Sequence, residues 1–73
     1  MTKEQRKEKT RIRMERIKRF GIAMGYKISI FRYTHCDNSR PCVQIALEGT
    51  ADSDGEPYSW AWYTDTYEPV VFD

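Results

Sequence analysis

One histidine and two cysteines are the side chains of this sequence best suited to catalysis or metal binding. His35 and Cys36 are adjacent, and five residues separate Cys36 from Cys42. Neighbouring residues on a strand point to opposite faces, so His35 is poorly placed to activate the Cys36 thiol as a nucleophile. A structural zinc site needs about four ligands, and these three residues are too few unless a second copy contributes. We therefore predict no catalytic residue, no metal and no cofactor.

Cys36 and Cys42 flank a predicted turn, where a disulfide is possible only if the two residues lie opposite each other. The N-terminus lacks the apolar stretch of a signal peptide, so we expect a cytoplasmic, reducing location and two free thiols, with the disulfide as the alternative. No apolar run approaches the roughly 18 residues of a membrane span, and we expect no membrane contact.

Four carboxylates, Glu48, Asp52, Asp54 and Glu56, surround a second predicted turn. Oxygen ligands at alternate positions beside a glycine are typical of calcium loops, but the twelve-residue loop that ends in glutamate is absent. Nothing in the pattern indicates a buried carboxyl group of the kind that acid–base catalysis needs. We interpret the cluster as a solvated hairpin tip.

Charge divides the chain into a basic head and an acidic body. Residues 1–21 hold nine Lys or Arg against three Glu, a formal charge of +6. Residues 22–73 hold three basic against eight acidic residues, a formal charge of −5, together with all the aromatic residues except Phe20. Such asymmetry in a chain of net charge +1 is typical of a protein that binds a charged partner or another copy of itself.

The basic head is predicted to form a helix over residues 3–20. It consists of helix-forming residues without Pro or Gly. Thr2 and Gln5 have the spacing of a capping box at its N-terminus. We expect Gly21 to be the left-handed residue that ends the helix.

The two halves of this helix differ in apolar content. Residues 2–11 hold no apolar side chain, so we expect residues 1–10 to be a flexible basic arm that projects into solvent, frays, or becomes ordered only on a partner. In the second half, apolar residues recur at helical spacing and can pack on a core. The residues expected to cover the sheet are Met14, Ile17, Phe20 and Ile22.

After the helix, apolar residues alternate with a period of two. The alternation over residues 26–34, 42–48 and 57–64 predicts three strands, each bounded by turn residues. Short connections favour antiparallel neighbours. A last apolar piece, residues 70–72, follows a proline and predicts a short edge segment.

Residues 1–73 are therefore predicted to form a single α+β domain, with the N-terminal helix packed on a three- to four-stranded antiparallel sheet (an αβββ meander). The apolar face under the helix is predicted to consist of Ile28, Ile30, Val43, Ile45, Leu47, Trp60 and Trp62. The opposite face stays uncovered, and aromatic residues on an open face are typical of protein interfaces. The predicted protein-contact residues are Phe31, Tyr33, Tyr63 and Tyr67.

These features favour a small non-enzymatic binding protein. It would act as an inhibitor or adaptor by occupying a surface of a larger protein or nucleoprotein complex. Accessory proteins of phages and mobile elements, including inhibitors of host defence, commonly have this size. A second hypothesis pairs the basic helix of one copy with the acidic sheet of another, so the chain is expected to be a monomer or a homodimer.

The alternative function is nucleic-acid binding through the basic N-terminal helix. A helix with this density of Lys and Arg can neutralise several phosphates. No base-reading motif is visible, so the expected contacts are to the backbone. Acidic residues around the aromatic strands argue against a stacking platform for single-stranded nucleic acid. The residues assigned to phosphate contact are Lys7, Arg11, Arg13, Arg16 and Arg19.

Overall fold

The computed structural model describes residues 1–50, 53 and 55–71. One helix, α1 (Lys3–Met24), is followed by three strands, β1 (Lys27–Thr34), β2 (Pro41–Glu48) and β3 (Tyr58–Tyr63). The strands form one antiparallel sheet in the order β1-β2-β3, which places β2 in the centre. The predicted α+β arrangement of one helix on an antiparallel meander is confirmed.

The main core lies between α1 and one face of the sheet, and a second buried cluster of Cys42, Ala61 and Val70 lies on the other face, which the sequence analysis expected to be uncovered. In the register, Ile45 of β2 stands opposite Ile30 of β1 and Trp60 of β3, so these three side chains share that face. Ile45 is fully buried, whereas Ile30 at the open edge is 46% exposed. The buried cluster consists of Ile17, Val43, Ile45, Leu47 and Trp62.

Four residues of α1 face the sheet at spacings of four, three and four. They are Thr10, Met14, Ile17 and Gly21, and all but the partly buried Met14 are buried. This spacing keeps one narrow stripe of the helix against the core. The prediction that Phe20 also covers the sheet is wrong.

Phe20 and Ile22 flank the stripe and are 53% and 73% exposed. Their side chains lie outside the contact between helix and sheet, because Gly21, the residue between them in the chain, is the one that faces the sheet. A Cβ atom at Gly21 would lie 2.8 Å from Cδ2 of Leu47 and 3.1 Å from Cγ1 of Ile28. The glycine therefore lets the helix backbone lie close to the sheet.

The predicted end of the helix at Gly21 is wrong for the same reason. The helix continues to Met24, and Gly25 adopts the left-handed conformation with φ 78°. The Gly25 N–H donates to the Ile22 carbonyl (3.2 Å) and the Tyr26 N–H donates to the Gly21 carbonyl (2.8 Å). These two bonds form a Schellman motif, which satisfies carbonyls of the last turn.

The predicted capping box at the N-terminus is confirmed. The Gln5 N–H donates to Oγ1 of Thr2 (3.2 Å), and the Thr2 N–H donates to Oε1 of Gln5 (2.9 Å). Residues 3–10 belong to α1 in the structure, within the helix predicted over residues 3–20. Arg6 Nε donates to the Thr66 carbonyl (2.7 Å), which ties this half of the helix to the segment after β3.

The chain after β3 turns back along the edge of that strand. The Val70 N–H donates to the Ala61 carbonyl (2.9 Å), and Pro69 forms an isolated bridge with Trp62. The predicted edge segment is therefore a single bridge in the described part of the chain, and Phe72 lies outside that part.

Replacing Gly21 by alanine tests whether the close approach fixes α1 on the sheet. In an unconstrained helix interior this change stabilises by about 1 kcal/mol. Here the new Cβ would meet Leu47, which is 1% exposed and has little room to move. Overpacking costs about 1–3 kcal/mol, so we expect a net loss of about 1 kcal/mol in the free energy of unfolding by urea.

Ile22→Ala is the matched control, because Ile22 is the next residue and is 73% exposed. Its free energy of unfolding should stay within about 0.5 kcal/mol of the wild-type value. A Gly21→Ala protein that is more stable than the wild type would contradict the close approach.

Candidate functional site

The two cysteines lie in different environments. Cys42 is on β2, pairs with Tyr33, and is 1% exposed. Cys36 is exposed in the turn between β1 and β2, and both residues are free thiols. They do not lie opposite each other in the sheet, so the disulfide alternative is not realised.

Three adjacent turn residues bring different metal-ligating groups together. One ligand atom from each of His35, Cys36 and Asp37 lies within 4.8 Å of the others. Nδ1 of His35 accepts a hydrogen bond from the Asp37 N–H (3.2 Å), and the Cys36 thiol donates to Oδ1 of Asp37 (3.7 Å). Structural zinc sites take four ligands, and we assign no metal to this turn. Two members of the other carboxylate cluster, Asp52 and Asp54, lie outside the described residues.

The open face of the sheet brings together two of the four predicted protein-contact residues. Phe31 is 46% exposed, and its ring lies 6.1 Å from that of the partly buried Tyr33. Burial, followed by the neighbouring Cys42, raises the pKa of the Tyr33 hydroxyl. Tyr63 lies in the same row, on the far side of Cys42.

Tyr63 is less accessible than the sequence suggested. Cζ of Arg40 lies 3.8 Å from the centre of its ring, His35 contacts it with ring centres 5.8 Å apart, and Nδ2 of Asn38 donates to its hydroxyl (3.1 Å). Tyr67 lies on the other side of the sheet, with Nζ of Lys7 6.0 Å from its ring centre. The four tyrosine and phenylalanine residues therefore do not form one patch.

Among the open grooves that α1 borders, one lies along each flank of the helix. The β3-side groove has a volume of about 710 Å³ and is lined by Lys9, Ile12, Arg13, Arg16, Ile17, Phe20 and Trp60. The β1-side groove has a volume of about 510 Å³ and is lined by Glu4, Lys7, Glu8, Thr10, Arg11, Met14, Lys18, Ile30, Arg32, Val43, Thr64 and Tyr67. The two grooves differ in charge.

Two of the three α1 cations that line the β1-side groove, Arg11 and Lys18, are paired with glutamates of the same helix. Arg11 donates to both carboxylate oxygens of Glu8, with an Nε–Oε2 distance of 3.1 Å. This hydrogen bonding lowers the pKa of the Glu8 carboxyl. Nζ of Lys18 lies 3.2 Å from Oε1 of Glu15. The β1-side groove is therefore of mixed charge.

Cations on the β3 side are not paired in this way. Lys9, Arg13 and Arg16 follow one another at spacings of four and three residues, which places them in one row along the helix. No carboxylate lines the groove, and none of the three makes an ion pair or a side-chain hydrogen bond within the part of the chain that the structure describes. The exposed ring of Phe20 and the partly buried indole of Trp60 supply its apolar wall.

The structure splits the set of cations predicted to contact phosphate. Arg13 and Arg16 line the β3-side groove, Lys7 and Arg11 line the β1-side groove, and Arg19 lines neither. Lys9, Phe20 and Trp60 also line the β3-side groove, and none of them was among the predicted binding residues. The helical spacing of residues 9, 13, 16 and 20 is the signal in the sequence that identifies these four groove residues together.

The N-terminal half of α1 is held in place by the turn after β3. Arg40 organises this turn, because its Nη2 and Nε donate to the two oxygens of Asp65 (2.9 and 3.0 Å). Nη2 of Arg40 also donates to the Thr66 hydroxyl (2.9 Å), and the Thr66 carbonyl accepts from Arg6. The ion pair of Arg40 is thus linked to the helix that carries both grooves.

The Asp65 carboxylate gives this link a pH dependence. The hydrogen bond from Arg40 is the main cause that lowers the pKa of Asp65. A carboxyl group with a lowered pKa stabilises the fold above its unfolded-state pKa and loses that contribution as the pH falls through its folded-state pKa. We therefore expect Asp65→Asn to lower Tm near neutral pH, and the deficit to shrink below about pH 4.

Thermal unfolding followed by circular dichroism at several pH values measures this difference. Glu68→Gln is the control, since the Glu68 carboxylate lies 3.9 Å from the same guanidinium and is 57% exposed. It should change Tm less than Asp65→Asn does. A Tm deficit of Asp65→Asn that is the same at all pH values would contradict the assignment.

Among the described residues, no helix combines the length and the apolar character needed to cross a membrane. Comparisons of this chain with models of protein families, with curated proteins and with solved structures found no match.

Proposed function

We propose that this protein is a small non-catalytic binding domain that contacts a nucleic-acid backbone through the β3-side groove. The observation that carries the proposal is the row formed by Lys9, Arg13 and Arg16, which has no carboxylate beside it among the groove residues that the structure describes. Arginine pairs well with phosphate oxygens, and phosphates recur regularly along a nucleic acid, as these cations do along the helix.

The acidic body of the domain opposes this contact less than its formal charge suggests. Asp65 and Glu68 lie 2.9 and 3.9 Å from the guanidinium of Arg40, and Glu48 lies 3.6 Å from the ammonium of Lys27. These three carboxylates are partly neutralised by two cations of the body itself, Arg40 and Lys27. The cations of the β3-side groove are therefore available to an external anion.

Binding through phosphates must depend on salt, because each neutralised phosphate releases counterions. With three phosphate contacts, the logarithm of the affinity should fall with the logarithm of salt concentration with a slope of about −2 for a single strand and about −3 for a duplex. Fluorescence anisotropy of a labelled oligonucleotide at several salt concentrations measures this slope.

Lys9→Gln/Arg13→Gln/Arg16→Gln should weaken nucleic-acid binding by about tenfold or more at low salt and bring the slope close to zero. The three side chains are exposed and glutamine is a good helix former, so the fold should persist. Circular dichroism checks that the variant is folded.

Lys7→Gln/Arg11→Gln/Lys18→Gln is the matched control. It removes the same charge from the same helix, but on the β1 side, where Glu8 and Glu15 are nearby. We expect a much smaller loss of affinity than for the β3-side variant. Equal losses for the two variants would show that only net charge matters and would contradict a site in the β3-side groove.

The sheet face opposite α1, which Val70 covers in part, favours a second function, that of an inhibitor or adaptor that binds a larger protein. Phe31 is 46% exposed there and lies beside Tyr33. Exposed aromatic residues are enriched among the residues that dominate the energy of protein interfaces.

A pull-down with nuclease and high salt tests this second function separately from the first. We expect the wild type to retain a protein partner, Phe31→Ser to lose it, and Ile22→Ser to retain it. Ile22 is a suitable control because it is exposed on the helix, away from the open face. Retention by all three proteins would place the protein contact elsewhere.

A further inference from the structure

From the position of two aromatic side chains, we infer that the β3-side groove takes single-stranded nucleic acid, with bases stacked on Trp60 and Phe20. The inference rests on the proposed function and names its ligand class. Proteins that bind single strands combine a cationic groove for the backbone with aromatic side chains for the bases. The groove lining holds both kinds of group.

The cations and the aromatic rings come from different parts of the chain. Lys9, Arg13 and Arg16 lie on α1, Phe20 continues their row by one further turn, and Trp60 faces them from β3. Phe20 is 53% exposed, and the centre of its ring lies 6.1 Å from that of Tyr26. A planar base entering the groove would therefore find two ring surfaces beside three phosphate-binding groups.

The outer face of α1 argues against the common alternative, in which a helix enters the major groove of a duplex. The stripe opposite the sheet-facing residues consists of Glu8, Ile12, Glu15 and Arg19, all of which are exposed. Two carboxylates would then point at the bases and the flanking phosphates. The cations lie on the flank of the helix, where a single strand of nucleic acid can lie between α1 and β3.

Acidic residues around the aromatic strands would repel the phosphates of a strand stacked there, which is why the sequence argued against a stacking platform. The structure removes this objection for Trp60, because this indole faces the basic helix and the lining, over residues 1–50, 53 and 55–71, contains no carboxylate. The single strand is thus favoured by the sign of charge as well as by the aromatic rings.

The test compares three labelled ligands of about 12 nucleotides, within the range of site sizes of single-strand binders. They are oligothymidylate, oligouridylate and a mixed-sequence DNA duplex, and the readouts are anisotropy and the tryptophan fluorescence of the protein. We expect at least one single strand to bind more tightly than the duplex and to quench tryptophan fluorescence. The tighter of the two single strands identifies DNA or RNA as the source.

Two variants ask whether the rings stack on bases. Trp60→Leu and Phe20→Leu should each weaken single-strand binding by about five- to 150-fold, the range for loss of one stacked base, and should change duplex binding little. Trp60→Leu should also abolish the quenching, since Trp62 is 5% exposed. Phe20 is exposed, so Phe20→Leu tests the inference even if Trp60→Leu unfolds.

Tyr58→Leu is the matched control, because Tyr58 lies on the same strand and is 49% exposed but does not line the groove. It should bind the single strands as the wild type does. Duplex binding that equals or exceeds single-strand binding, without quenching, would overturn this inference and leave the proposed function standing. Absence of binding to all three ligands would overturn both.

Discussion

The close contact between α1 and the sheet at Gly21 is the constraint on which the other features of the domain depend. Only one stripe of the helix meets the sheet, and its last member has no side chain, so the backbone lies against Leu47 and Ile28. Because a larger residue would force the helix outward or turn it about its axis, this contact sets the rotation of the helix. The Schellman motif at Gly25 then returns the chain into β1.

The rotation of the helix decides which charges lie together. The basic head is dense in cations, but its glutamates are unevenly distributed around the helix, so the two flanks differ in net charge. On the β1 side the glutamates form ion pairs within the helix, which are of little energetic value at an exposed surface and chiefly cancel charge. On the β3 side, the cations beside the indole of Trp60 have no carboxylate partner among the described residues. One helix therefore presents a surface of mixed charge on one flank and a cationic surface on the other.

The sequence predicted the elements well, because each depends on neighbours in the chain. The alternation in the three strands and the capping box at Thr2 are local patterns, and they were sufficient for the arrangement of helix and sheet. The end of the helix was predicted four residues too early, since Gly21 has the residue type of a cap but is needed for a contact with β2. Local propensity cannot distinguish these two uses of glycine.

The candidate site was harder to predict for a related reason. Four groove residues share a helical spacing that is visible in the sequence, but Trp60 is distant in the chain and was assigned only to the core. Its position beside the helix depends on the register of β3 against β2. Tyr67 was likewise expected near the open face, whereas the turn held by Arg40 places it against the helix.

An NMR titration of backbone amides and tryptophan indole N–H groups with a single-stranded oligonucleotide tests most directly whether the β3-side groove is the binding surface. The shifts should cluster at Lys9, Arg13, Arg16 and the indole of Trp60, with little change at Phe31 on the open face. Shifts that cluster around Phe31 instead, or that spread evenly over both flanks of α1, would contradict this interpretation.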